Sequence, residues 1–212
     1  RQRQMCIRDR AEVIHPPVDV GRFRWDAPRD DVYLCLCRLV PYKRVDLVVE
    51  AFNRLKLPLV VVGDGPERPR LQALAGPTVT LLGRQSPQQV EALMARCRAY
   101  VYAGLEDFGI APVEAMASGA PVIALGRGGL LDTVRCASAD MPKATGVLFP
   151  DQTLESLQQA VQWFEEQRLW RQLDAELIRR WAERFGPDAF AARFEAALQR
   201  AWAAHRLSLI HI

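Results

Sequence analysis

Short apolar runs alternate along this chain with segments whose apolar positions recur every three or four residues. Val32–Leu39 (VYLCLCRL) is an apolar run of strand length. Arg44–Leu55 then carries Val45, Val48, Val49, Phe52 and Leu55 at helical spacing. Leu57–Val62 predicts a buried strand, closed by the turn signal Gly63-Asp64-Gly65-Pro66. Glu67–Leu74 predicts a short helix and Val79–Leu82 a strand. Ser86 as N-cap and Pro87 in the first helical position open a helix to about Cys97. Ala99–Tyr102, Pro121–Leu125 and Gly146–Phe149 read as strands, and Leu130–Val134 as a short helix. Thr153 caps a helix that reaches about Gln167. Leu169–Glu183 and Asp188–Arg206 predict two long amphipathic helices separated by Gly186-Pro187. The aromatic faces carrying Trp163, Trp170, Trp181 and Trp202 are expected to pack together.

Strand–helix alternation with almost continuously apolar strands implies a parallel sheet covered on both faces. The expected class is α/β: a Rossmann-like, doubly wound parallel sheet with extra C-terminal helices. Ligands in such sheets bind outside the carboxyl ends of the strands, near a switch in strand order. The loops expected there are Arg38–Arg44, Gly63–Pro66, Gly83–Ser86 and Gly104–Ala111.

The two ends of the chain stand apart from this pattern. Met5–Arg10 and Leu207–Ile212 can be encoded by DNA strings that are reverse complements over most of their length, as the two ends of a transposon adapter would be. Residues 1–10 and 207–212 are therefore expected to be adapter-derived, and residues 11–206 to be one domain. Different codons in the source DNA would remove this reading. The net charge of +3 is accounted for by residues 1–10, with four arginines against one aspartate. The rest is close to neutral, so the basic balance gives no reason to expect nucleic acid as a partner. Cys35, Cys37, Cys97 and Cys136 lack redox or zinc spacing and are expected to be reduced core thiols in a cytoplasmic protein. No apolar run approaches the ~20 residues needed to cross a bilayer.

The chemistry concentrates in Tyr102–Ala124 (YAGLEDFGIAPVEAMASGAPVIA), which reads as strand end, loop, helix and strand. Glu106 lies in the loop, and Glu114 lies in the helix that Pro112 opens. Asp107–Ala111 then present backbone N–H groups at a helix N-terminus, suited to phosphate oxygens. Carboxylates beside such a site repel phosphate but accept hydrogen bonds from hydroxyls. Phosphate at a helix end with hydroxyls on either side describes a nucleotide sugar. No cluster of His, Cys and carboxylate has metal spacing, so no metal site and no cofactor is expected.

The segments RLVPYKR at Arg38–Arg44, VGDGP at Val62–Pro66, Leu82-Gly83 and Glu106–Glu114 occur in this order. With them the chain resembles the C-terminal, donor-binding domain of GT-B retaining glycosyltransferases of family four, over most of residues 11–200. The fuller text looks like bacterial mannosyltransferases of polysaccharide and glycolipid assembly. The resemblance implies that Arg38 and Lys43 hold the donor diphosphate, with Arg44 as a rival for the second place. It implies that Glu106 contacts the donor sugar and that Phe108, Gly109 and Ile110 offer backbone amides. It further implies that Glu114 binds the ribose and that Arg84 and Gln85 border the base, with Gly63 in a structural turn at the pocket rim. Gly126–Gly129 resembles the family's glycine-rich loop, but Asp132 stands where many members carry Glu, which leaves its role open. His15 falls where the inter-domain connection enters and is expected to be structural.

The function so implied is hexosyl transfer with retention from a nucleotide sugar such as GDP-mannose or a UDP-hexose, with mannose suggested by the resemblance alone. The acceptor would be a glycan or a lipid-linked glycan, held by an N-terminal domain outside this sequence. The fragment alone is then expected to be inactive. The whole protein would work in the cytoplasm, at the inner face of the membrane, with peripheral membrane association. Two alternatives stay open here: a GT-B-like sugar-nucleotide epimerase or phosphorylase, and a non-catalytic nucleotide-binding module.

Overall fold

The structure is a computed structural model that describes residues 12–137 and 143–209, the last six by their backbone. Residues 1–10, read above as adapter-derived, lie outside the described residues, as do Ile210, His211 and Ile212.

The predicted alternation is present. The strands are β1 (Tyr33–Leu36), β2 (Leu59–Val62), β3 (Val79–Gly83), β4 (Tyr100–Tyr102), β5 (Val122–Leu125) and β6 (Gly146–Phe149). The helices are α1 (Val45–Leu55), α2 (Arg68–Leu74), α3 (Pro87–Arg96), α4 (Ile110–Ala117), α5 (Leu130–Thr133), α6 (Leu154–Glu166), α7 (Leu169–Gln172), α8 (Ala175–Ala182) and α9 (Pro187–Leu209). The strands pair in parallel in the order β3-β2-β1-β4-β5-β6. Chain order reverses between β1 and β4, which is where a doubly wound sheet opens its binding crevice.

The ladder at this switch is one residue pair long, Leu34↔Tyr100. Beyond it the Tyr100 hydroxyl donates to the Leu36 carbonyl at 2.7 Å, in place of a ladder bond. β1 ends at Leu36 instead of continuing to Leu39 as the apolar run suggests, so Arg38 belongs to a loop. That loop stays tied to the β2 side, since Cys37 N–H donates to Val62 and Leu39 N–H to Asp64.

The central strands are buried on both faces, as their apolar runs require. Tyr33, Phe52 and Phe164 meet edge to face below β1, with centroids 4.9 Å and 6.1 Å from Tyr33. Phe52 is fully buried, and its loss to alanine would cost about 3–5 kcal/mol. Ser86 caps α3 with a reciprocal capping box to Gln89, and Thr153 caps α6.

Three further expectations change. Leu169–Glu183 is not one helix: Leu173 is extended, and Asp174 restarts the chain as α8 by accepting from the amides of Glu176 and Leu177. The tryptophans share no common face. Trp170 packs on Phe164 and under Arg98, Trp181 packs on Phe185, and Trp163 and Trp202 are 36% and 60% exposed. Of the four described cysteines, Cys35 and Cys97 are core thiols, Cys37 is half-buried and Cys136 is exposed.

Candidate functional site

The crevice between β1 and β4 holds a cavity of about 440 Å³. Its lining includes Arg38, Lys43, Glu106, Phe108, Gly109 and Ile110. The two cations arrive on the loop after β1. Pro41–Lys43 forms a single 3-10 turn, and Arg44 then adopts a left-handed conformation with φ 51°. That kink swings Arg44 away, and its guanidinium pairs with Asp46 at 3.1 Å. Lys43 lines the cavity and Arg44 does not. Arg38 is exposed, and its guanidinium makes no hydrogen bond or ion pair with another described residue.

Glu106 follows β4 in the loop before α4. Its Oε1 accepts from the Lys43 ammonium and from the Tyr102 hydroxyl. The Lys43 ammonium also sits 4.9 Å from the Tyr42 ring centroid. Burial first, and the bond to Glu106 second, push the Tyr102 phenol well above its ordinary range. It is thus a hydroxyl donor at every physiological pH.

The glycine-rich loop shapes this segment from behind. Gly129 N–H donates to the Glu106 carbonyl at 2.8 Å, and a side chain at Gly129 would meet the Asp107 carbonyl oxygen at 2.2 Å. Arg127 turns outward to Asp151, and Asp132 is exposed. Gly109, with φ 89°, is the N-cap of α4. α4 begins at Ile110, two residues before Pro112; the proline still lies in the first turn, where a missing N–H costs nothing. The amides of Phe108, Gly109, Ile110 and Ala111 bond to no other described residue and open on the cavity.

A second cavity of about 460 Å³ adjoins the first and shares Leu36, Cys37 and Arg38 with it. Val62, Gly63, Asp64, Arg84, Gln85 and Val90 complete its wall. Gly63 has φ 136°, and a Cβ there would come within 1.9 Å of the Cys37 carbonyl oxygen. Close approach of the β2 turn to the Arg38 loop thus needs glycine. Gln85 is turned back, donating to the Leu82 carbonyl at 2.8 Å.

Glu114 is the one expected site residue that lines neither cavity. It lies one turn into α4, where Arg22 reaches it at 3.3 Å and Glu91 is a further neighbour. Burial, reinforced by Glu91 and Asp19 and opposed by Arg22, raises its pKa. His15 stacks on Phe108 at 5.2 Å and meets Phe185 edge-on, a packing position. Sequence reading missed Tyr42, Tyr102 and Pro16 as part of the wall. Only Tyr102 left a signal, since its four-residue spacing from Glu106 spans a strand end and a turn. Among the described residues no group of His, Cys, Asp and Glu could hold a metal ion.

A doubly wound parallel sheet with a crevice at its switch point is an α/β domain of the GT-B kind. The family model for glycosyl transferases group 1 matches residues 22–184, and the chain belongs to that family. It is 35% identical over 133 residues to a GDP-mannose-dependent alpha-mannosyltransferase of Mycobacterium tuberculosis, covering 62% of this chain and 33% of that protein. It is 31% identical to a D-inositol 3-phosphate glycosyltransferase of Nocardia farcinica, covering 68% of this chain and 41% of that protein. Among solved structures, the lipopolysaccharide outer core galactosyltransferase WaaB superposes with TM-score 0.74 at 22% identity, over 90% of this chain and 56% of that one. A sucrose-phosphate synthase from Thermosynechococcus elongatus superposes with TM-score 0.75 at 25% identity, over 91% of this chain and 53% of that one. The chain thus spans about a third of the mannosyltransferase and about half of the solved chains.

Proposed function

We propose that this chain is the donor-binding half of a retaining hexosyltransferase that takes its sugar from a nucleotide sugar. The observation that carries the reading is the shared cavity of Arg38, Lys43, Glu106 and the amides of residues 108–111. A pyrophosphate leaving group gains negative charge as the glycosidic bond breaks. Fixed cations and a helix N-terminus stabilise that charge, and do so more strongly in the transition state than in the ground state. Arg38, which borders both cavities, suits the diphosphate between sugar and base. Glu106 suits the sugar hydroxyls, and Gly63, Arg84 and Gln85 suit the rim of the base. Glu114 would take the ribose hydroxyls by giving up Arg22.

GDP-mannose is the preferred donor, because relatives named for GDP-mannose-dependent mannosyl transfer recur among the matches. A UDP-hexose is the second choice, since a neighbour of the same fold is known in complex with UDP-glucose. No cofactor is needed in this scheme. The acceptor, a glycan or lipid-linked glycan, would meet the sugar across the cleft on an N-terminal domain, with the whole protein at the cytoplasmic face of a membrane. Among the described residues no helix is long and apolar enough to cross one.

Calorimetric titration of the chain with GDP-mannose, UDP-glucose and their diphosphates tests the proposal. Binding of one nucleotide sugar, lost on Glu106→Ala, is expected, with no sugar transfer by the chain alone. Failure to bind any of the four ligands would refute it.

A further inference from the structure

One buried polar group at this crevice has no part in the scheme above. Tyr102 ends β4 and is 2% exposed, yet its hydroxyl is aimed at the crevice and donates to Glu106 Oε1. The space for that hydroxyl is reserved. A Cβ at Gly104 would stand 2.5 Å from the Tyr102 oxygen and 3.1 Å from the Lys43 Cα. The ring is held from the other side by Tyr100, stacked at 6.4 Å, whose own hydroxyl is committed to Leu36. The hydroxyl is thus seated beside Glu106 in space that a side chain at position 104 would fill.

We propose that Tyr102 is a positioning residue for sugar recognition: it anchors Glu106 through Oε1, leaving Oε2 to receive a pair of hexose hydroxyls. This rests on the donor-site reading above and names a residue that reading does not use. The reason lies in the competition for Lys43. Without ligand, Glu106 Oε1 has two donors, the Lys43 ammonium and the Tyr102 hydroxyl. A diphosphate in the crevice carries more charge than a carboxylate and draws the ammonium toward itself. Glu106 lies in a loop, and with Lys43 gone only Tyr102 keeps its carboxylate oriented. A neutral donor suits this task. It fixes the carboxylate without neutralising it, and it has no attraction to the phosphate that would pull it away. The raised pKa keeps the hydroxyl protonated, so the anchor persists across the working range.

The test separates the sugar from the nucleotide. It uses whichever nucleotide sugar the chain takes up, GDP-mannose or UDP-glucose, against its own diphosphate. Tyr102→Phe should weaken the nucleotide sugar about tenfold and leave the diphosphate within about twofold. Retained diphosphate binding also reports that the variant is folded. Glu106→Gln should weaken the nucleotide sugar as well, and the double variant should add little to the worse single change, since both act on one contact. Equal weakening of both ligands by Tyr102→Phe, or no weakening of either, would overturn the inference. So would strict additivity in the double variant. A parent chain that binds neither nucleotide sugar would instead refute the donor-site reading, and this inference with it.

Discussion

Lys43 and Arg44 are neighbours of like charge, yet the backbone gives them opposite fates. The left-handed turn at Arg44 sends one guanidinium to Asp46 and leaves one ammonium over Glu106. Lys43→Ala should therefore weaken nucleoside diphosphate binding about tenfold or more, while Arg44→Ala should change it little, both read by calorimetry. Equal effects would show that the two cations share the ligand. The thiols divide in the same way by environment. Burial pushes Cys97 up to about 12, and the bond to its neighbour Cys37, followed by burial, raises Cys35. Among the four described cysteines, Cys136 should alkylate first at mildly alkaline pH in the native chain, with Cys35 and Cys97 reacting only in denaturant. Mass spectrometry after timed labelling gives the order.

Helix ends do much of the positioning. α4 starts at a left-handed glycine, so its first amides face the crevice unpaired. α8 starts at Asp174, whose carboxylate accepts from two amides after Leu173 has broken the preceding helix. Asp174→Ala should cost about 1 kcal/mol, read as a lowered denaturant midpoint with unchanged slope. α8 bears on the site, because its Arg179 donates to the Val20, Phe23 and Ala117 carbonyls and so joins the segment before β1 to the end of α4. No loss of stability would mean that the helix restart is driven by packing alone.

Considered whole, the molecule brings Glu114 and Arg22 together from positions 92 residues apart. A carboxyl whose folded pKa lies above its unfolded value binds its proton more tightly in the native state. Its contribution favours folding at low pH and is lost as pH rises from about 4.5, the ordinary glutamate value, through the raised value. Glu114→Gln removes this dependence. The parent's melting temperature should thus decline relative to that of the variant as pH is raised across this window, and the difference should then level off. A difference that stays constant with pH would contradict the assigned burial.

Much of this could be read from the chain before folding, because the physics is local. Strand and helix periods, the Ser86, Thr153 and proline signals, and the order of the loops depend on near neighbours along the chain, and they place Arg38, Lys43, Glu106 and the α4 amides at one edge of a parallel sheet. Packing settled what has no period: that Lys43 and not Arg44 lines the crevice, that the Tyr102 hydroxyl donates to Glu106, that Glu114 meets Arg22, and that Leu169–Glu183 breaks at Leu173. A charge or hydroxyl turns toward whatever partner remote segments deliver, and such partners are set by how layers close rather than by spacing along the chain.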